Sequence, residues 1–141
     1  LGWVTQFQEN PVANRMIKAM RVRCQGPDQQ IDELSGGNQQ KIVLGKWLET
    51  KPSVVLLDEP TRGIDVGAKD EIYDLLRKLA QSGVAIVMVS SELPELLALS
   101  NRILVMREGR AAGIIESHEF SEERVMELAT PLGNSLTGEA A

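Results

Sequence analysis

Two short stretches of this chain hold residues whose types and spacing could do chemistry. In Leu34-Ser35-Gly36-Gly37-Asn38-Gln39-Gln40-Lys41, two glycines follow a serine, and an apolar run of Ile42, Val43, Leu44, Trp47 and Leu48 begins at once. That pattern predicts a helix N-terminus with Ser35 as N-cap. Glycines there would let a large anion approach the backbone, facing free N–H groups and the positive end of the helix dipole. A Gly-rich turn ahead of an ordinary surface helix gives the same pattern. The second stretch, Val54-Val55-Leu56-Leu57-Asp58-Glu59, is an unalternating apolar run that ends in adjacent carboxylates. It predicts a parallel-sheet strand buried on both faces, with the acids at its C-terminal end, where open α/β sheets bind ligands. Asp58 is placed to hold Mg²⁺, and Glu59 to orient or deprotonate an attacking water. A strand followed by a solvated acidic turn is the alternative, and it is the tight succession of the two stretches that argues against it.

Together these stretches resemble the ABC-type ATPases. Leu34–Lys41 is similar to their signature motif, Val54–Glu59 to their Walker B strand, and Gly63-Ile64-Asp65 to the D-loop that follows. Asp-Glu-Pro-Thr-Arg-Gly-Ile-Asp-Val-Gly-Ala-Lys from Asp58 and Ser-Ser-Glu-Leu-Pro-Glu from Ser90 resemble one branch more closely. That branch is the second half of the fused, two-cassette ATPases that energise bacterial import of pentoses and hexoses. The resemblance is strong from Glu33 to Glu116 and loose at both ends. It implies an α/β fold, a partial P-loop NTPase domain with a mostly parallel sheet.

The elements that must position these residues are legible in outline. The chain has 141 residues, which fits one domain, with 43% hydrophobic and 25% charged residues, an ordinary globular composition. The net charge of −5 argues against a nucleic-acid or anionic-membrane surface, and no apolar stretch approaches bilayer length. No signal peptide is expected at the N-terminus, and the single cysteine, Cys24, fits a reducing compartment. Asn10-Pro11 predicts an N-cap and first turn, leading a short helix through Ala13, Met16, Ile17 and Met20. Arg21 and Arg23 read either as an anion-contacting patch or, more simply, as a solvated face. Asp65 should cap a strongly amphipathic helix with Ile72, Leu75, Leu76 and Leu79 on one face, ended by Gly83. A strand over Ala85–Val89, a helix over Pro94–Leu99, and a hairpin of Ile103–Met106 and Ala111–Ile115 about Glu108-Gly109-Arg110 follow. Ser121 should cap a last helix, with Phe120 and Val125 as a hydrophobic staple.

Nowhere in the sequence is there a Gly-x-x-x-x-Gly-Lys-Ser/Thr phosphate loop. The resemblance therefore implies the C-terminal piece of a cassette, lacking the Walker A strand and loop, with apolar sheet faces left uncovered. It also implies a histidine on the γ-phosphate where this chain has Ser91, whose hydroxyl is shorter and cannot carry positive charge. The chain's one histidine, His118, reads as a surface residue. The partition expected is 1–33 for the end of a helical subdomain, 34–116 for the signature, Walker B and D-loop core, and 117–141 for a C-terminal helix and tail.

In the resembling proteins two cassettes meet head to tail. Ser35, Gly36, Gly37 and Gln39 would then close on an ATP held by the partner cassette, and Asp65 would link the two sites. Asp58, as Mg²⁺ ligand, and Glu59, as catalytic base, would face this half's own nucleotide. The partners implied are the N-terminal half of the same full-length chain, membrane permease subunits and, indirectly, a periplasmic or extracellular sugar-binding protein, with no nucleic acid. The place implied is the cytoplasmic face of the bacterial plasma membrane. A catalytically silent regulatory half and a soluble ABC protein of translation or DNA repair are the rival readings.

Overall fold

The computed structural model describes residues 6–130. They fall into two compact units that divide between Val89 and Ser90. The first unit opens with α1 (Gln6–Ala19), a 3₁₀ turn (Ile31–Glu33) and α2 (Gly36–Leu48). It continues with β1 (Val54–Asp58), α3 (Val66–Gln81) and β2 (Ala85–Val89). α1 begins before Pro11, not at it; Pro11 lies inside the helix and is exposed. Its missing N–H and ring leave the backbone one bond short there, a loss that water can satisfy on an exposed face.

β1 and β2 pair in parallel, Val54 opposite Ala85 through Asp58 opposite Val89, with α3 as the crossover. Asp65 caps α3 as expected, its Oδ1 accepting from the Ala68 N–H at 2.9 Å. Gly83, at φ 95°, takes the left-handed turn after the helix. Ile72 and Leu76 are buried one turn apart, each contributing about 2 kcal/mol by leaving water.

β1 is not buried on both faces. Val55 is buried, while Leu56 is 76% exposed, and Val54, Val87 and Val89 are exposed with it. The run of apolar residues met only one partner surface, and the other face of the pair is open.

The second unit contains α4 (Leu93–Leu99), β3 (Arg102–Arg107), β4 (Arg110–Glu116) and α5 (Glu122–Ala129). β3 and β4 form an antiparallel hairpin, with an irregularity between Val105 and Met106. Its two-residue turn, Glu108 at φ 50° and Gly109 at φ 75°, has the left-handed pair that a tight hairpin requires. Ile103, Val105, Ile115 and Val125 form the core, packed by Leu96, Phe120 and Leu128 among others. Ser121 caps α5 by accepting from the Arg124 N–H at 3.1 Å, and Phe120 packs against the core cluster that contains Val125. Leu104, Met106 and Ile114 stay exposed on the hairpin's other face. The fold is thus α/β, with one parallel and one antiparallel pair among the described residues. The expected tail beyond Thr130 lies outside the described residues.

Candidate functional site

Ser35 stands at the N-cap position of α2 with extended backbone, and its carbonyl accepts from the Asn38 and Gln39 N–H groups, both at 2.9 Å. Its hydroxyl does not cap the helix, contrary to the expectation from sequence. Asn38 reaches back instead and donates its side-chain Nδ2–H to Ser35 Oγ at 2.9 Å. Ser35 and Gly36 are exposed, and a side chain added at Gly36 would meet only the Gly63 carbonyl, at 3.9 Å. A large ligand could therefore approach the first turn of α2. Gly37 serves a different purpose. It is buried, and a Cβ there would lie 2.6 Å from the Ala68 Cβ, so its lack of a side chain is what lets α2 and α3 touch. Gln39 is half-buried and donates to the Leu34 carbonyl at 2.9 Å, tying the start of the helix to the residue before it.

The inward face of α2 is not the apolar one. Val43 and Trp47 are 44% and 59% exposed, whereas Gly37, Lys41, Leu44 and Gly45 are buried. Met16 and Met20 crowd Gly45 closely, which favours the smallest residue there. Lys41 is 2% exposed and its ammonium donates to the Glu71 carboxylate on α3 and to the Arg21 carbonyl, 3.3 Å away. The Arg23 guanidinium donates to the other Glu71 oxygen at 2.8 Å, and the Arg23 N–H donates to Asn38 Oδ1 at 2.9 Å. The hydrogen bond from Lys41 holds the Glu71 carboxyl below the usual carboxylate range; partial burial opposes this, and the charges of Lys41, Arg23 and Arg21 add to it. A cavity of about 220 Å³ lies in the middle of this cluster, lined by Arg23, Ser35, Asn38, Lys41, Asp65 and Glu71 among others. Arg23 thus belongs to a structural ion pair. Arg21 is exposed and adopts φ 51°.

At the end of β1, Asp58 is exposed. Glu59 is half-buried and takes φ 47°, a left-handed conformation that costs a non-glycine residue about 1 kcal/mol. Its N–H still donates to the Val89 carbonyl at 2.8 Å, so the parallel ladder extends one residue beyond the strand while the chain turns. Pro60 and Thr61 are fully buried behind it, and Gly63 turns at φ 73° toward Asp65. Ser35, Gly36, Gly37 and Asp65 are therefore brought together around the contact of α2 with α3. Asp58 and Glu59 lie at the end of the parallel pair.

Glu71 is passed over by hydrophobic pattern and motif alike, while Asn38 and Lys41 lie inside the signature stretch without an expected role of their own and Arg23 was expected on an anion-contacting patch or a solvated face. A lysine at a buried helical position, with a carboxylate on the next helix, was the only available signal. In the second unit Ser91 is exposed, in the loop ahead of α4. Beside it, Ser90 donates to the carboxylate of Glu95 at 2.5 Å and accepts from the Glu92 N–H at 3.0 Å; Glu95 is 2% exposed.

Cofactor fit can be judged from these surroundings. Asp58 is an exposed carboxylate at a strand end, and no group of three or more metal-ligating side chains occurs among the described residues. Mg²⁺ is commonly held by one or two carboxylates together with substrate phosphates, so a lone Asp58 suits that ion. The open first turn of α2, with an adjacent hydroxyl, suits a phosphate.

The chain is similar to known proteins over most of its length. The family model for "ABC transporter" matches residues 5–62. A ribose import ATP-binding protein of Halalkalibacterium halodurans is 52% identical over 129 residues, 92% of this chain and 26% of the relative. A galactose/methyl galactoside import ATP-binding protein of Treponema denticola is equally similar, at 52% over 92% of this chain. An arabinose import ATP-binding protein of Vibrio parahaemolyticus is 52% identical over 96% of this chain and 27% of the relative. The chain thus spans about a quarter of the length of these curated relatives. Among solved structures, the ATP-binding cassette MJ1267 of an ABC transporter superposes with a TM-score of 0.75 at 22% identity, over 91% of this chain and 53% of that one. The cassette MJ0796, in a post-hydrolysis dimer bound to ADP and Pi, superposes with a TM-score of 0.70 at 23% identity, over 84% and 51%. At such identities these structures establish the fold.

Proposed function

We propose that the chain is part of an ABC-type ATPase cassette and lends its signature motif, in trans, to an ATP held by a second cassette. Ser35 and Gly36 supply a hydroxyl and an open helix N-terminus for the terminal phosphates, and Gly37 and Gln39 hold that turn in place. Asp65, the cap of α3, couples this surface to the region of the chain's own nucleotide. There Asp58 holds Mg²⁺, which would neutralise phosphate charge, and Glu59 orients the attacking water. In the whole protein the activity is ATP hydrolysis coupled to carbohydrate uptake. The second cassette is the N-terminal half of the same full-length chain, and the complex sits with its permease at the cytoplasmic face of the plasma membrane, served from outside by a sugar-binding protein. Residues 1–33, 34–116 and 117–141 act as helical-subdomain end, motif core and C-terminal segment.

One observation carries this reading. The exposed first turn of α2 and the D-loop residue Asp65 border one cavity, while the 141 residues contain no phosphate loop of their own. In this reading a nucleotide at the signature is gripped by a phosphate loop outside these residues. The import ATP-binding names of the relatives favour a transporter over a soluble protein of translation or DNA repair. A second reading, a silent regulatory half, is favoured by Ser91, which stands where a histidine is expected. Phosphate release from the 141-residue chain with Mg-ATP is expected to stay at background. Steady turnover that disappears in Glu59→Gln contradicts the proposal.

A further inference from the structure

We infer that Asn38 is a positioning residue that turns the hydroxyl hydrogen of Ser35 outward, toward the phosphate of the nucleotide. The inference rests on the reading of Ser35 given above. It begins at Arg23, whose backbone N–H can only donate. The Asn38 atom facing it, at 2.9 Å, is therefore the carbonyl oxygen Oδ1. The other end of the amide, Nδ2, then faces Ser35 Oγ at 2.9 Å, and an amide nitrogen only donates. Ser35 Oγ is the acceptor in that bond, so its own hydrogen must point elsewhere. This orientation is assigned from the partners at both ends of the amide. No acceptor for the Ser35 hydroxyl hydrogen occurs among the described residues.

The backbone donor that sets this polarity is itself held. The Arg23 guanidinium is bound to Glu71, and the buried Lys41 donates both to Glu71 and to the carbonyl of Arg21, two residues before Arg23. The relay runs from a buried ion pair, through one backbone amide and one side-chain amide, to a hydroxyl at an exposed helix start. A hydroxyl free to rotate would spend part of its time donating to nearby protein or water. One fixed as an acceptor toward Asn38 is preorganised as a donor to an incoming anion.

The test uses the full-length protein assembled with its permease, and steady-state ATPase over a range of Mg-ATP concentrations. Asn38→Asp keeps the shape but replaces a donor by an acceptor, so the Ser35 hydroxyl hydrogen turns inward. The expected loss in kcat/KM is about 10- to 100-fold, the worth of one hydrogen bond to a charged group. Ser35→Ala should lose a similar factor, and the double variant should lose no more than Ser35→Ala alone. If Asn38→Asp costs the same factor with and without the serine, its effect is one of charge or packing and the positioning role is overturned. If Ser35→Ala leaves kcat/KM unchanged, the reading of the signature fails, and the inference with it. Should Asn38→Asp melt below the assay temperature, Asn38→Ala takes its place. A loss that vanishes in the Ser35→Ala background supports the inference, and one that persists overturns it.

Discussion

Lys41 is a cation at a position whose helical spacing calls for an apolar residue. It is tolerable because Glu71 and the Arg21 carbonyl accept hydrogen bonds from its ammonium. Glu71 is the partner whose ionisation matters. Its native carboxyl is held below the ordinary range, chiefly by the hydrogen bond from Lys41, so the pair contributes stability fully at neutral pH. That contribution disappears as pH falls through the lowered native value. Urea unfolding of the chain followed across pH should therefore show Glu71→Gln less stable than wild type by about 1–3 kcal/mol at pH 7. The difference should shrink as pH falls below the ordinary carboxylate range and through the lowered native value, where the wild-type carboxyl takes up its proton. A pH-independent difference would remove the ion pair from the account. Legibility from sequence was uneven at this scale. Asp65 and Ser121 were read correctly as helix caps, because capping is a local rule. The Ser35 hydroxyl was misread because its partner, Asn38, is set by Arg23, a residue fifteen positions away in sequence.

At the scale of elements, α2 shows how composition can mislead. Its apolar residues Val43 and Trp47 face outward, and its contact with α3 is made through Gly37. Hydrophobic spacing located the helix but not its inward face, because a glycine that packs by having no side chain leaves no hydrophobic signal. The two signature glycines should therefore respond oppositely to the same change. Gly37→Ala drives a Cβ to 2.6 Å from the Ala68 Cβ and should lower stability by about 1–3 kcal/mol, more than alanine's helix preference returns. Gly36→Ala meets only the Gly63 carbonyl at 3.9 Å and should leave stability unchanged or slightly raised. Thermal melts of both variants, with Gly37→Ala/Ala68→Gly as the rescue, check the contrast; a failed rescue would place the strain elsewhere. β1 teaches a related lesson. Its length, its parallel pairing and the acids at its end were all legible, yet burial on its second face depends on a layer that the described residues do not supply.

For the molecule as a whole, the α/β class and the order of elements followed from local sequence rules. The division at Val89/Ser90 did not, because it reflects which elements share a core. Both sheets keep an apolar face in solvent, Leu56 with Val87 and Val89 in one, Leu104 with Met106 and Ile114 in the other. The chain spans about a quarter of the length of its curated relatives. The central claim is that the signature of this half serves a partner's ATP while its own hydrolytic site contributes little, Ser91 standing where a histidine is expected. The most direct measurement is steady-state ATPase of the intact two-cassette protein, assembled with its permease, for Ser35→Arg and Glu59→Gln at matched expression. Ser35→Arg puts a bulky cation at the first turn of α2 and should nearly abolish turnover. Glu59→Gln should cost far less than the roughly 10²–10⁴-fold that removal of a working catalytic base brings. If Glu59→Gln is as damaging as Ser35→Arg, this half hydrolyses its own ATP, and the account is contradicted.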